Sequence, residues 1–592
     1  MARAGDLWKA VSNYPWKPGP CRAIAYLLRS TLAATALSVA GICGAAEAPL
    51  PAGTLELLRQ QERERELRQQ LEQRPDVRLT PPVTDELERL PENESPCFVF
   101  HEVELTGEAA EKFQWALAAA NPPADPALER CLGAGGINLT LKRVQNAVIA
   151  RGFITTRVLA QPQDVASGTL TLTLVPGRIR AIRFAEDADA RATRWNAVPP
   201  RPGDLLNLRD IEQALENFKR VPTAEADIQI LPAEGADAQP GQSDLVIRWK
   251  QAFPIRFSVF ADNAGTKATG KYQGGVTVAY DHWWTLNDLF YASYLQDLGG
   301  SHDDGRGTRG YTVHYSLPFG YWLLGFTTNS YNYHQSVAGV NQTFIFRGEV
   351  ENHDVRLSRL VYRDAVRKTT VSARAWLRES SNFIEDVEVQ AQHRRMAGWE
   401  LGLGHREFIR TATLDLNLAY RRGTGAFNAL PAPEEGTGEG TSRLRLYTYD
   451  AQFNVPFTLG GQRLRYTVTA RAQLNRTPLV PQDRFAIGGR YTVRGFDGEN
   501  VLLAERGWLI RNDLGFGLPL PGAEFYVGAD YGEVGGPSSR ALAGTRLAGA
   551  VAGLRAGYKG FYVDVFVGTP LYKPEGFRTA STTAGFSLNW SF

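Results

Sequence analysis

From about residue 251 to the end of the chain, apolar and polar residues alternate in one segment after another. In residues 464–474, Leu464, Tyr466, Val468, Ala470, Ala472 and Leu474 fall on one face, and Arg465, Thr467, Thr469, Arg471 and Gln473 on the other. A period of two predicts a strand, and this stretch is close to the roughly 9–11 residues that a tilted strand needs to cross a bilayer. Residues 371–377, 414–420 and 561–567 repeat the pattern, with Ser372, Arg374, Asp415, Asn417 and Asp564 on the polar side. A soluble sandwich would turn that polar face to water. A membrane barrel would turn the apolar face to lipid and line a wet lumen with the other. Both have the same period, so alternation alone leaves the two open.

Upstream the pattern changes twice. Residues 97–250 predict two small α/β modules. In the first, 97–107 reads as a strand, 139–153 as a helix, and 155–161 and 169–175 as strands, the last as a strict TLTLTLV alternation. The second repeats the order in shorter form, with strand 178–184, helix 208–218, strands 226–231 and 244–249, and 233–243 as a loop. Before them, 54–74 (TLELLRQQERERELRQQLEQR) predicts a helix with Thr54 as N-cap and Pro75 as stop. It has no apolar residue from Arg59 to Glu66, and Glu64 and Arg68 form a favourable i,i+4 pair. A helix polar all round bridges solvent or sits in a wet cavity, and the residues alone do not decide which. Residues 75–95, with Pro81-Pro82, read as an extended linker.

The 592 residues include 65 Lys+Arg against 63 Asp+Glu, which excludes the basic stripe of a nucleic-acid binder. Residues 1–46 carry an excess of basic residues, then a short apolar stretch at 31–42 and small residues at Gly44-Ala45-Ala46, the layout of an export signal. No run of ~18 apolar residues follows, so a helical span is excluded. Cys21 and Cys43 leave with the signal, and Cys97 and Cys131 remain. Two leftover cysteines in an oxidising compartment usually pair, with roughly 3–4 kcal/mol from closing that loop; two buried free thiols are the other reading.

The end of the chain separates the open cases. Phe586, Leu588, Trp590 and Phe592 occupy every second position to the last residue, which resembles the terminal strand of bacterial outer-membrane barrels. A closed barrel is also one of two ways to satisfy backbone polar groups in lipid. The stretches PCFVFHEVELTG (96–107), RGFITTRVLAQPQDVASGTLTLTLVPGRI (151–179), LNLRDIEQALENFKRVP (206–222), FAIGGRYTVRGFDGEN (485–500), GWLIRNDLGF (507–516) and GADYG (528–532) together resemble the ShlB/FhaC/HecB family of two-partner secretion transporters, within the Omp85 superfamily.

That resemblance implies a transmembrane antiparallel β-barrel of 16 strands at 251–592. Two periplasmic α/β POTRA domains precede it (96–177, ShlB-type, and 178–250), and the helix at 54–74 plugs the lumen. It implies a Cys97–Cys131 disulfide in the first POTRA domain. It further implies export, or export and activation, of a large β-rich exoprotein with an N-terminal secretion domain, of the hemolysin, adhesin or contact-dependent-inhibition type. The expected surroundings are outer-membrane lipid, and the barrel assembly machinery during biogenesis; the expected state is a monomer without nucleic acid, cofactor or metal. Cargo would add main chain to an exposed POTRA strand edge, with Arg157 and the helix face of Leu208, Ile211, Leu215 and Phe218 as candidate contacts.

The resemblance also marks a loop lock. Arg494, followed by Gly495 and Phe496, is expected to pair with Asp530 between Gly528 and Gly532 on a wall strand. Alternation puts Phe525, Val527 and Ala529 outward and Asp530 inward, and the flanking glycines leave room for a loop tip. A guanidinium can meet a carboxylate in bidentate fashion, which a lysine cannot. Gly436-Thr-Gly438-Glu-Gly440 lacks the strand–helix context of a phosphate loop, and His302-Asp-Asp304 reads as a hydrated surface loop. With no HExxH or GxSxG arrangement, an enzyme is not expected. The alternatives are an Omp85-type assembly factor, which would carry a longer POTRA series, and a passive porin, which would need neither POTRA domains nor a plug.

Overall fold

The structure, a computed structural model, describes residues 52–72, 75–80, 89–299 and 305–592. The export-signal reading, Pro81-Pro82 and the 302–304 cluster fall outside them.

Alternation carries through into a closed barrel of 16 antiparallel strands, from Ile255–Asp262 to Thr583–Ser591, each paired with its sequence neighbour. The last strand closes onto the first in a ladder running from Ser587–Asp262 to Ser591–Ser258. In the strand Gln462–Asn475, Tyr466 and Leu474 face outward and are exposed, whereas Arg471 points into the lumen toward helix α1 (Ala52–Leu71). Turns at one rim are tight. Gly460 and Gly461 join two strands with φ of 57° and 81°, a left-handed geometry that glycine adopts without a Cβ penalty. The other rim carries the long connections, among them 425–444 and 476–505. Short turns on one side and long loops on the other are the asymmetry of outer-membrane barrels.

The two α/β modules stand at the short-turn rim. The first has a sheet in the order Glu102–Gly107, Thr169–Val175, Arg157–Leu159, packed on helix α2 (Ala134–Ala150). Its core includes Phe100, Phe113, Val144, Val148 and Leu172. The expected 97–107 strand is broken: Phe98–Val99 leaves to pair with Cys131–Leu132. That ladder holds Cys97 and Cys131 with their Cα atoms 5.2 Å apart, and the two are disulfide-bonded. Helix α2 starts more than a turn before the expected 139. Two of its first three residues, Gly135 and Gly136, are poor helix formers, but Glu94 accepts from the N–H groups of Gly133 (2.7 Å), Gly135 (2.8 Å) and Gly136 (2.9 Å). A carboxylate on those unpaired donors caps the helix from a distant part of the chain, so local periodicity could not show it. The expected 155–161 strand shortens to Arg157–Leu159.

The second module has its sheet in the order Arg178–Phe184, Gln242–Gln251, Ala224–Pro232, over helix α3 (Leu208–Lys219). Trp249, Phe218 and Leu206 lie in its core, fully buried. Helix α3 is wedged between this sheet and the barrel rim. Asn217 donates to the Gly320 carbonyl (2.8 Å), Tyr321 donates to Asp210, and Arg363 donates to Glu212 (2.9 Å) and Glu216 (3.0 Å).

Candidate functional site

Helix α1 (Ala52–Leu71) lies inside the barrel. Its polar circumference is met on all sides by the lumen wall. Arg471 donates twice to Glu62 (2.7 Å each), and Arg63 donates to Asp262 (3.1 Å) and Gln273 (3.2 Å). Asn329 donates to Glu64 (2.8 Å), Arg68 donates to Asp354 (3.0 Å), and Arg65 pairs with Asp450. The expected Glu64–Arg68 pair is present at 2.6 Å. These partners come from the polar face of the alternation, which explains a helix with no stripe to bury: its solvent is the lumen wall. Beside α1 a cavity of about 360 Å³ remains, lined by Arg59, Glu62, Arg471 and Arg490 among others. That is the size of a small-molecule pocket, not a passage for polypeptide.

The chain leaving α1 is pinned at the short-turn rim. Val77 and Leu79 donate main-chain N–H groups to Glu216 (3.0 Å) and Glu212 (2.7 Å) of α3. Asp76 accepts from Lys368 (2.9 Å) and Arg406 (2.7 Å) of the barrel. Plug, second module and barrel therefore share one ion-pair cluster.

The loop 476–505 folds back into the lumen. Its stem pairs Phe485–Ile487 with Leu502–Ala504, and Ile487, Val493, Phe496 and Leu502 pack with Leu509, Leu547 and Phe577 of the wall and an adjoining loop. At its tip Arg494 donates Nε to Asp530 Oδ2 (2.7 Å), Nη2 to Asp530 Oδ1 (2.8 Å) and its main-chain N–H to Oδ2 (2.9 Å). Both residues are 3% exposed. The structure thus brings together Arg494, Gly495, Phe496, Gly528, Asp530 and Gly532. Gly532 faces Val493 so closely that a Cβ would sit 2.8 Å from its methyl. Gly495 has a φ of +94°, and a Cβ there would lie 2.5 Å from the Thr569 carbonyl.

Several partners escape sequence reasoning. Arg494 Nη2 also donates to Asp513 Oδ1 (2.6 Å), and Asp513 in turn accepts from Arg555 (3.0 Å). Gly549 lies opposite Asp530 in the ladder, and its ideal Cβ would be 1.9 Å from the Arg494 carbonyl; a glycine inside a strand was the available signal. A second anchor holds the entry to the loop. Asp483, 7% exposed, accepts from Arg378 (2.6 and 3.1 Å) and Arg421 (3.3 Å) of two other wall strands. Arg421 also stacks over Trp376 at 4.0 Å. Nothing in its neighbours, Pro481-Gln-Asp483, announces this.

The candidate cargo contacts fare differently. Arg157 is exposed on an edge strand. Leu208, Ile211, Leu215 and Phe218, however, are 4%, 1%, 2% and 0% exposed. They form the core face of α3, so cargo cannot reach them, and the other side of the helix is taken by the barrel rim. The periodicity that marked them was that of a buried stripe.

With this geometry in hand, comparisons with known proteins agree closely. The family described as haemolysin secretion/activation protein ShlB/FhaC/HecB matches residues 241–556, a ShlB-type POTRA domain matches 98–177, and a second POTRA domain matches 178–232. The outer membrane transporter CdiB-2 of Burkholderia pseudomallei is 38% identical over 550 residues, which cover 90% of this chain and 93% of that one. The hemolysin transporter protein ShlB of Serratia marcescens is 26% identical over 69% of this chain and 71% of its own length. The solved structure of CdiB from Acinetobacter baumannii superimposes with a TM-score of 0.78 at 31% identity, covering 92% of this chain and 98% of that one. The chain therefore belongs to the ShlB/FhaC/HecB family of the Omp85 superfamily, as a two-partner secretion transporter of the outer membrane with its POTRA domains in the periplasm.

Proposed function

We propose that the protein exports a large exoprotein of the contact-dependent-inhibition type through its barrel lumen, with the POTRA pair as receptor, α1 as plug and Arg494–Asp530 as the latch of the inner loop. The observation that carries this reading is the plug itself: a helix held in the pore mainly by ion pairs and hydrogen bonds, with Leu57 buried and Leu67 and Leu71 packed near the short-turn rim, leaving a cavity too small for polypeptide. Polar contacts in a wet lumen exchange readily for water, so such a plug can be released. With no nucleotide or ion gradient available at the outer membrane, folding of the cargo outside drives export by making return unfavourable. The preference for this cargo over a hemolysin follows the higher identity to CdiB-2 than to ShlB.

Reception of cargo falls to strand edges rather than to the α3 face. Arg157–Leu159 and Ala224–Pro232 are each one of the two outer strands of their sheets, and Glu225 and Asp227 on the latter are exposed. Main-chain addition at such an edge tolerates sequence variation along a long cargo. The barrel faces outer-membrane lipid, is inserted by the barrel assembly machinery and acts as one chain. Deleting residues 97–250 and measuring cargo outside the cell tests the receptor role. Export should vanish while the barrel remains heat-modifiable; undiminished export would overturn it.

A further inference from the structure

The lipid-facing rows of the barrel end at the short-turn rim in a cluster of aromatics. Trp283 stacks on Trp284 (5.4 Å between centroids) and meets Phe290 edge-on at 4.8 Å and Tyr280 at 5.7 Å. Phe319 and Trp322 are cross-strand partners at the next turn, both exposed. Rings at this level are the interfacial belt of a membrane barrel, where an amphipathic ring has one side in hydrocarbon and the other among headgroups.

One ring of this belt does not belong to the barrel. Trp195, in the second POTRA module, lies 5.8 Å from Phe319 and is 62% exposed. Its segment is fastened to the rim by main-chain and amide contacts. Gly320 donates its N–H to the Asn196 carbonyl (2.8 Å), Asn196 donates to the Pro318 carbonyl (3.2 Å), and Asn287 donates to the Thr193 carbonyl (2.8 Å) and to Asn196 Oδ1 (3.0 Å). Asn196 is wholly buried in this joint. An exposed tryptophan held rigidly beside a belt residue is set for lipid, since the joint prevents it from folding back onto its own module.

We infer that Trp195 enters the headgroup region of the inner leaflet, so that the second POTRA module docks on the membrane beside the barrel. The occupant is lipid because the patch is continuous with the belt through Phe319. The consequence is orientation: α3 is fixed at the rim and Trp195 on the leaflet, which directs the edge strand Ala224–Pro232 to a constant position for incoming cargo. The inference uses the outer-membrane barrel and does not depend on which cargo is carried.

The test uses the full chain in phosphatidylethanolamine/phosphatidylglycerol vesicles, with W195C or, as control, D227C on the exposed edge strand. The other cysteines among the described residues, Cys97 and Cys131, are bonded to each other, so a polarity-sensitive fluorophore labels the introduced thiol. Heat-modifiable migration verifies the fold of each variant. At position 195 the emission should be blue-shifted, quenched by nitroxide-labelled lipid and protected from iodide, with the reverse at 227. Water-like emission at 195, with iodide quenching equal to that at 227, would overturn the inference.

Discussion

The loop lock shows how much a single residue can carry. Arg494 bridges Asp530 and Asp513, two carboxylates on adjacent strands. Removing the guanidinium leaves both without their shared partner at a buried site, a loss on the order of 3–5 kcal/mol for a buried pair, part of which Arg555 offsets at Asp513. Such a change would shift a two-state loop almost completely. Arg494→Ala and Asp530→Ala are each expected to insert normally and export poorly, with the double variant no worse than either. Additive losses would mean the two act separately. Arg494→Lys should fail to restore export, because an ammonium cannot span two carboxylates in fixed geometry. Asp483 belongs to a different anchor that shares no residue with the first, so Asp483→Asn combined with Arg494→Ala should add in protease accessibility of the loop 476–505. The arginine and Asp530 were legible because motif, strand phase and flanking glycines agreed. Asp513, Gly549 and Asp483 were not, since their roles arise from ladder register and loop course, neither of which leaves a local mark. In the periplasmic domain, burial alone would raise the Asp125 carboxyl, but the Leu90 N–H, Arg143 and Arg130 hold it at about 2. A depressed carboxylate stabilises the fold fully above its unfolded value near 3.8 and loses that contribution as pH falls toward 2. Acid unfolding of the first POTRA module should therefore shift to higher pH and flatten in Asp125→Asn; an unchanged acid transition would count against the pair network.

At the scale of elements, α1 is the informative case. Its sequence announced a helix and an absence of any apolar stripe, but the reason lay in the wall strands, whose inward residues are complementary to it. The pairing of Glu62 with Arg471 can be read out directly. Arg471→Glu sets like charges against each other and should raise single-channel conductance by loosening the plug, as deletion of 52–71 should raise it further. Adding Glu62→Arg to Arg471→Glu restores opposite charges and should return conductance toward the original value. Equal currents in all four proteins would place the helix elsewhere than in the conducting path. Helices α2 and α3 depart from the sequence expectation in opposite ways. The start of α2 was hidden because a remote carboxylate, Glu94, caps glycines that no propensity favours. The apolar stripe of α3 was plain, and its burial against its own sheet, not a partner, is the commoner fate of such a stripe.

Across the whole molecule, the architecture of 16 strands behind two POTRA modules followed from alternation, terminal pattern and family motifs together. What these could not supply was the joint between parts: the cluster of Asp76, Glu212, Glu216, Arg363, Lys368 and Arg406 that ties plug exit, receptor module and barrel rim. In the proposed cycle, that joint would make cargo arrival, plug release and pore opening physically adjacent events. The central claim is that cargo passes through the lumen, along the face that α1 now covers. A photoreactive residue at Thr469 or Arg374, on the lumen face, should crosslink to an exoprotein stalled during export, whereas the same residue at Val468 or Leu416, on the lipid face, should not. Crosslinks at Val468 and Leu416 as strong as those at Thr469 and Arg374, or none at the lumen positions while cargo is stalled, would contradict the account.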